Sequence, residues 1–204
     1  MRLLKEIIKQ RGIGFLEMIV ALGVIVTGVI GGLTLTTSNL VSSSASENRL
    51  LAANLTREAI EVIRNKRDSN WLAAADWFSG ILQSANNYRL ITSFNSVTNS
   101  WSFADQTVNL NQCSACQIYY HPLTGVFSHD AEGGELTTYK RLVTLRQICW
   151  QEEINEETIL AEGQECSEYQ NVTWVGWEIK AEVSWQEGTG SHLLNVIDRI
   201  YNWK

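Results

Sequence analysis

The chain has 204 residues, with 22 Asp and Glu against 16 Lys and Arg, and a formal net charge of −6 at pH 7. A surface that binds nucleic-acid phosphates nonspecifically needs clustered Lys and Arg, so this balance disfavours direct nucleic-acid binding. The sequence leaves one small basic cluster open, at Lys140, Arg141 and Arg146.

Residues 13–35 form an apolar run in which Glu17 is the one charged residue. As a helix rising about 1.5 Å per residue, the run is long enough to cross a hydrocarbon core about 30 Å thick. After the run, the next Lys or Arg is Arg49, whereas four basic residues precede it: Arg2, Lys5, Lys9 and Arg11. This asymmetry predicts a single-pass segment with a cytoplasmic N-terminus and an exported remainder.

Two ordinary explanations of the apolar run stay open. A secretory signal peptide would have an apolar core of about 7 to 15 residues before a small-x-small cleavage site, and this run is longer. A plain membrane anchor leaves Glu17 unexplained, because a carboxylate at membrane depth costs about 2.5 to 3.5 kcal/mol by insertion scales. We therefore expect a cationic partner for Glu17, the alternative being solvation near the headgroups.

Gly12, Ile13 and Glu17 resemble the prepilin signature of type IV pilins and type II secretion pseudopilins. The shared pattern is a short basic leader ending in Gly, an apolar residue, Glu as the fifth residue beyond that Gly, and a hydrophobic helix. The resemblance implies that a prepilin peptidase cleaves between Gly12 and Ile13, removes the leader (residues 1–12), and that Ile13 is N-methylated. It also implies that Glu17 meets the amine of Ile13, its own or a neighbour's, and sets the register of subunits in a filament.

The signature departs from the family pattern in two ways. The family usually has Phe as the first mature residue, and Gly14–Phe15 offers such a junction, but cleavage there would place Glu17 third, so we favour Gly12. The family's helix proline is missing, since the chain's one proline is Pro122.

Residues 36–67 are predicted to continue the helix as an amphipathic segment. Beyond a Ser/Thr-rich stretch, apolar residues recur at helical spacing: Leu51, Leu55, Ala59, Val62 and Ile63. A helix from Ile13 to about Lys66 would be roughly 80 Å long, and Asp68-Ser69-Asn70 is expected to end it. The stretch Leu51–Trp71 is similar to minor pilins of the PilV-like group.

Residues 68–204 are predicted to form an exported, β-rich globular domain. Val175–Trp185 alternates apolar and polar residues, as a half-buried antiparallel strand does, and Gln186–Gly190 forms a turn. His192–Trp203 returns as a strand with apolar residues on both faces, so its buried side is not assigned. The fold expected from the resemblance is α+β, with the long helix packed on an antiparallel sheet.

Further strands are predicted upstream. Gln117–His121 and Val126–His129 flank the turn at Pro122, and Tyr139–Trp150 is another strand. Residues 71–111 are interpreted as a short helix, strands and loops.

Four cysteines lie on the predicted exported side: Cys113, Cys116, Cys149 and Cys166. An even number there favours disulfides, and of the three connectivities the simplest joins Cys113 to Cys116 and Cys149 to Cys166. A zinc site would have only half of its motif, and a thioredoxin-like redox site would lack its βαβ surroundings. We therefore predict no metal site.

Enzymatic motifs are not found. His121, His129 and His192 are scattered and are expected on the surface or in turns, and no hydrolase, metalloprotease or phosphate-loop spacing occurs. Asp130, Glu132 and Glu135 form an acidic loop that could bind calcium, but its spacing is not that of an EF-hand, so a solvated turn is favoured. We predict a protein that is not an enzyme and has no cofactor.

The leading hypothesis is a minor pilin or pseudopilin of a type IV pilus or a related secretion or competence filament. Its partners would be the prepilin peptidase, other pilin subunits through the N-terminal helix, and the lipid bilayer. It would be stored in the inner membrane and then reach an extracytoplasmic filament or the cell surface. The alternative is a single-pass, membrane-anchored extracytoplasmic binding domain that does not assemble.

Overall fold

The computed structural model describes residues 14–83, 88–95 and 98–202. These residues form the helix α1 (Phe15–Leu72), a short 3-10 helix (Cys166–Glu168) and the strands β1 (Arg89–Asn95), β2 (Ser100–Gln106), β3 (Gln117–His121), β4 (Val126–Ser128), β5 (Glu135–Gln151), β6 (Glu156–Ile159), β7 (Val172–Glu187) and β8 (Gly190–Tyr201). The chain divides into two compact units, Met1–Glu47 and Asn48–Lys204.

The described part of the first unit is helical from Phe15 onward, and its apolar side chains are exposed on every side. An apolar helix without a buried face is unusual in water and normal in a bilayer. Within the described ranges, α1 is the one helix long and apolar enough to cross a membrane. The structure therefore agrees with the predicted span in length and composition.

The second unit is built around β5, the longest strand of an eight-stranded antiparallel sheet. From Tyr139 to Gln151, one edge of β5 pairs with β7, with Tyr139 opposite Trp185 and Gln151 opposite Val172, and β7 pairs in turn with β8. The other edge of β5 pairs in succession with β3, β1 and β6. Because β2 and β4 extend β1 and β3 as hairpins, β5 holds all the other strands together.

The part of α1 from Asn48 onward packs on one face of this sheet. Its buried residues include Ala52, Leu55, Ala59, Ile60 and Ile63, which repeat at the three- and four-residue spacing of one helix face. They contact β7 residues at alternate positions: Trp177, Ile179, Ala181, Val183 and Trp185. The α+β fold predicted from the sequence, a long N-terminal helix on an antiparallel sheet, is confirmed.

The predicted end of α1 is wrong, because Asp68-Ser69-Asn70 does not break the helix, which continues to Leu72. The polar side chains there serve the following loop: the amide of Asn70 donates to the carbonyl oxygens of Trp77 (3.2 Å) and Ser79 (2.8 Å). The helix ends where Ala74 adopts a left-handed conformation, with φ of 53°. The short helix expected within residues 71–111 does not form in their described part, which contains the β1–β2 hairpin.

The predicted strands of the C-terminal half are confirmed, with ends displaced by a few residues. β3 and β4 meet at the turn before Gly125, whose positive φ of 71° suits glycine. β7 and β8 are joined by two residues, Gly188 and Thr189, and Gly188 has φ of 59°. The structure also assigns the buried side of β8: Leu194, Val196 and Ile200 face α1, whereas Leu193 and Ile197 lie on the opposite face, which we call the outer face.

Candidate functional site

Glu17 lies in the first turn of α1, three residues before Val20 on a surface of exposed apolar side chains. Its carboxylate has no ion-pair partner within residues 14–83, 88–95 and 98–202. A carboxylate in the first helical turn interacts favourably with the helix dipole. Gly12 and Ile13, the predicted cleavage and methylation residues, lie outside the described residues.

Small residues repeat along the exposed apolar part of α1. Gly23, Thr27 and Gly31 are spaced by four, as are Gly28 and Gly32, and a Cβ placed on any of these glycines would meet nothing within 4 Å. Such positions allow two helix backbones to approach closely in a membrane. The two rows of small residues therefore leave the backbone of the apolar part of α1 accessible.

Threonines in and directly after the apolar part of α1 bond to the helix itself. The hydroxyl of Thr27 donates to the carbonyl oxygen of Gly23 (3.0 Å), Thr34 to Ile30 (2.8 Å), and Thr36 to Gly32 (2.9 Å). An unsatisfied hydroxyl is costly in hydrocarbon, and these bonds remove that cost. The threonines are thus compatible with a position inside a bilayer.

Arg141 is buried between α1 and the sheet, and its side chain is 1% exposed. Its guanidinium pairs with the carboxylate of Glu58 on α1 (2.7 Å) and donates to the carbonyl oxygens of Leu55 (3.1 Å) and Thr92 (2.6 Å). Burial lowers the pKa of Arg141, and the neighbouring Glu58 carboxylate acts in the opposite direction. The buried guanidinium of Arg141, on β5, therefore links this strand to α1 and to β1.

The basic cluster left open by the sequence, at Lys140, Arg141 and Arg146, does not form. Arg141 faces α1, whereas Lys140 and Arg146 are on the other face of β5, because side chains alternate along a strand. Arg146 is in addition paired with Glu178. The described residues therefore offer no phosphate-binding surface at this position.

His129 was expected on the surface or in a turn, and it lies in a bend directly after β4, where the residue is half-buried. Its Nδ1 lies 3.0 Å from the carbonyl oxygen of Gln117, which requires that Nδ1 carries the proton, and its Nε2 is buried. Burial, with the charge of Arg141 as the second cause, lowers the pKa of His129 to about 3. His129 is therefore a neutral structural residue at neutral pH.

The other two histidines also make contacts within the second unit. The Nε2 of His121 lies 3.0 Å from the carbonyl oxygen of Asp130, and the ring of His192 stacks on Trp185 at a centroid distance of 5.2 Å. In the described part of the chain, no three His, Cys, Asp or Glu side chains are grouped so that they could hold a metal ion. The acidic loop at Asp130 is instead a turn in which the Asp130 carboxylate accepts the backbone N–H of Glu132 (3.0 Å).

Two disulfides are present, Cys113–Cys116 and Cys149–Cys166, and this is the simplest of the three pairings. Cys113 and Cys116 are buried with Ile91, Leu110 and Leu142 under the outer face of the sheet. Cys149 and Cys166 form a separate cluster with Leu160 and Val172. Each disulfide thus anchors a loop that borders this face.

A groove of about 570 Å³ runs between these two loops on the outer face. Asn109 and Asn111 line it from one loop, and Ala161 and Glu162 from the other. Its floor is made of strand residues, among them Leu142, Thr144, Arg146, Lys180, Leu193 and Ile197.

The charges that line the groove are paired within the chain. Arg89 binds Glu162 (2.6 Å), and Lys180 binds Glu182 (2.7 Å). The groove therefore combines an apolar floor with charges that are balanced within the chain. Sequence reasoning missed it, because its residues come from four strands and two loops that are far apart in the chain.

Comparison with known proteins gives no further guide, because no protein-family model, no curated protein and no solved structure matches this chain.

Proposed function

We propose that this protein is a non-enzymatic filament subunit of the type IV pilin and pseudopilin class, and that a prepilin peptidase matures it after Gly12. The observation that carries the proposal is the spacing of Gly12, Ile13 and Glu17 immediately before one long apolar helix. That helix continues without interruption into the segment that packs on the sheet. A minor subunit is favoured by the similarity of Leu51–Trp71 to PilV-like sequences.

In this proposal the apolar part of α1 has two successive environments. It first holds the subunit in the inner membrane with the N-terminus in the cytoplasm, as the basic residues before Gly12 favour. It then packs against the helices of neighbouring subunits, where the glycines at 23, 28, 31 and 32 give room for close approach. Glu17 pairs with the amine of Ile13, which offsets the cost of a carboxylate in an apolar filament core.

The decisive experiment is to measure the mass and N-terminal sequence of the membrane protein made with and without a prepilin peptidase. We expect a chain that begins at methylated Ile13 only when the peptidase is present. Gly12→Val should abolish cleavage, and Gly14→Val should leave it intact. The two variants also distinguish cleavage after Gly12 from cleavage after Gly14. An intact Met1 beside a demonstrably active peptidase would contradict the proposal.

Assembly is tested by Glu17→Leu in the full chain, with the amounts in sheared filaments and in membranes measured separately. We expect Glu17→Leu to accumulate in membranes and to be lost from filaments, because the Ile13 amine has no counter-charge. Glu47→Leu, which removes a carboxylate of the same helix beyond the apolar part, is the control and should assemble normally.

A second candidate function is a membrane-anchored extracytoplasmic binding domain that does not assemble. The groove of about 570 Å³ on the outer face favours it, since a concave surface with apolar and polar lining is the usual form of a ligand site. This candidate predicts an uncut N-terminus and unchanged localisation of Glu17→Leu.

A further inference from the structure

The unpaired charges of the second unit are unevenly placed. Arg49 and Arg57 are exposed on α1 and make no ion pair within residues 14–83, 88–95 and 98–202. Leu50, between them in sequence, is 63% exposed, and Asn54 is exposed on the same side of the helix. We call Arg49, Leu50, Asn54 and Arg57 the helix patch; it is cationic and apolar in a chain that is acidic overall.

A smaller group of exposed carboxylates without an ion pair is Asp130, Glu132 and Glu135. The larger group is at the tip of the β5–β6 hairpin, residues 152–157, which comprises the turn and the first two residues of β6. Four of its six residues are glutamates, at 152, 153, 156 and 157, and all four are exposed. Ile154 stands among them and is 56% exposed. None of the four carboxylates forms an ion pair with a described Lys, Arg or His.

The hairpin turn is held in place by neutral contacts. The side-chain amide of Asn171 donates to Glu153 (2.8 Å), the hydroxyl of Tyr201 donates to Glu157 (3.0 Å), and the backbone N–H of Glu152 donates to the carbonyl oxygen of Asn171 (3.2 Å). These bonds fix the turn but leave its charges uncompensated. We call residues 152–157, with their four glutamates and the exposed Ile154, the acidic knob; the bonds above hold it in a defined shape.

The knob and the helix patch lie at opposite ends of the second unit. Tyr139, near the start of β5, donates its hydroxyl to Asn48 at the start of the packed helix (2.9 Å), and Arg141 reaches Leu55. β5 then runs beside α1 as far as Gln151, where the hairpin turn begins. One chain therefore cannot bring its own knob to its own helix patch, whereas a second copy displaced along the helix axis can.

We propose that the acidic knob of one subunit docks on the helix patch of a second copy of this chain. Glutamates of the knob pair with Arg49 and Arg57, and Ile154 covers Leu50. A contact between two different surfaces is heterologous. When the rotation that relates neighbouring subunits does not close into a ring, repeated contacts of this kind build an open helical filament. The inference rests on the proposed filament function and requires that copies of this chain are neighbours in the filament, whether the subunit is minor or major. It names the subunit contact that would set the axial register.

Charge reversal in the full chain, expressed with its peptidase and filament machinery, tests the contact. We expect Arg57→Glu and Glu153→Lys each to lower the amount in sheared filaments by about tenfold, because like charges then face each other, and the double variant to recover most of it. Lys140→Glu and Glu132→Lys are matched controls that reverse the same charges away from the patch and the knob, and they should assemble normally. Normal accumulation in membranes shows that each variant folds.

Cross-linking gives a second, independent readout. Leu50→Cys combined with Ile154→Cys should form a disulfide ladder in filaments under mild oxidation, since all four native cysteines are already paired, and either single variant should give no ladder. If the wild type and Arg57→Glu enter filaments equally, and the double-cysteine chain gives no ladder, the contact is refuted and the filament function still stands. A wild type that is matured but never enters filaments overturns the filament function and the contact with it.

Discussion

The guanidinium of Arg141 on β5 and the carboxylate of Glu58 on α1 are 2.7 Å apart, and the arginine side chain is almost completely buried. Helix and sheet are therefore joined by a charge pair as well as by apolar packing. Such a pair adds little net stability compared with an apolar substitute, but the loss of one partner leaves a buried charge uncompensated.

Removal of Glu58 should therefore be costly. We expect Glu58→Ala to lower the free energy of unfolding by about 2 kcal/mol, less than for a fully buried pair, because the Glu58 side chain is partly exposed. Glu61→Ala, which breaks the exposed pair with Arg64 on the same helix, should cost no more than about 0.5 kcal/mol. Urea unfolding of the full chain in detergent measures both, and equal losses would contradict the special role of Arg141.

Stability should depend on pH through His129. Its pKa is about 3 in the folded chain and about 6.5 when unfolded, so between these values only the unfolded chain binds the proton. The contribution of neutral His129 to the free energy of unfolding is fully present above pH 6.5. It is lost as the pH falls towards 3, at about 1.4 kcal/mol per pH unit. His129→Gln should flatten the slope of the unfolding free energy between pH 6.5 and 4.5, and His121→Gln should not.

Ala74 offers a stabilising substitution. The backbone N–H groups of Ala74 and Ala75 donate to the carbonyl oxygens of Trp71 (3.1 Å) and Asn70 (2.9 Å), which is the Schellman end of a helix, and Ala74 holds the left-handed position that favours glycine. We expect Ala74→Gly to raise the free energy of unfolding by about 0.5 to 1 kcal/mol. Ala73→Gly, at the neighbouring residue with negative φ, should give no gain in the same denaturant titration.

The two disulfides should differ in their contribution to stability. Cys149–Cys166 spans 17 positions and Cys113–Cys116 spans 3, and a longer loop loses more entropy in the unfolded chain when it is closed. Replacing both Cys149 and Cys166 by alanine should cost about 3 kcal/mol, and the Cys113/Cys116 pair distinctly less. Thermal unfolding of the two double variants measures the difference, and a larger loss for the shorter loop would contradict the entropic argument.

The sequence predicts β7 well because its pattern is simple. Every odd residue from Trp177 to Trp185 is apolar and faces α1, so alternation alone identifies the buried face. In β8 the same reasoning fails, because Leu193 and Leu194 are adjacent and both apolar. Only the register with β7, in which Leu194 lies opposite Val183, decides which of them is buried.

Arg141 shows what a local pattern does not reveal. It occupies an odd position of β5 between the inward-facing residues Tyr139 and Val143, and that placement was the available signal. Sequence reasoning grouped it with Lys140 and Arg146 as a surface charge. Its partner Glu58 is distant in sequence, so the pair becomes visible only when the helix lies on the sheet.

The cleavage and methylation at Gly12 and Ile13 stay predictions.

The position of β5 has a consequence for the order of folding. β1 and β3 precede β5 in the chain and pair with it, whereas β7 and β8 follow it, so the sheet is held by contacts between distant residues. Topologies of high contact order fold slowly, since long loops must close before any pairing is gained. Until β5 is available for pairing, the β1–β2 and β3–β4 hairpins have no central strand to pair with. In the proposed topology, the residues after the N-terminal helix would cross the membrane in chain order and could not complete the sheet until β5 had passed.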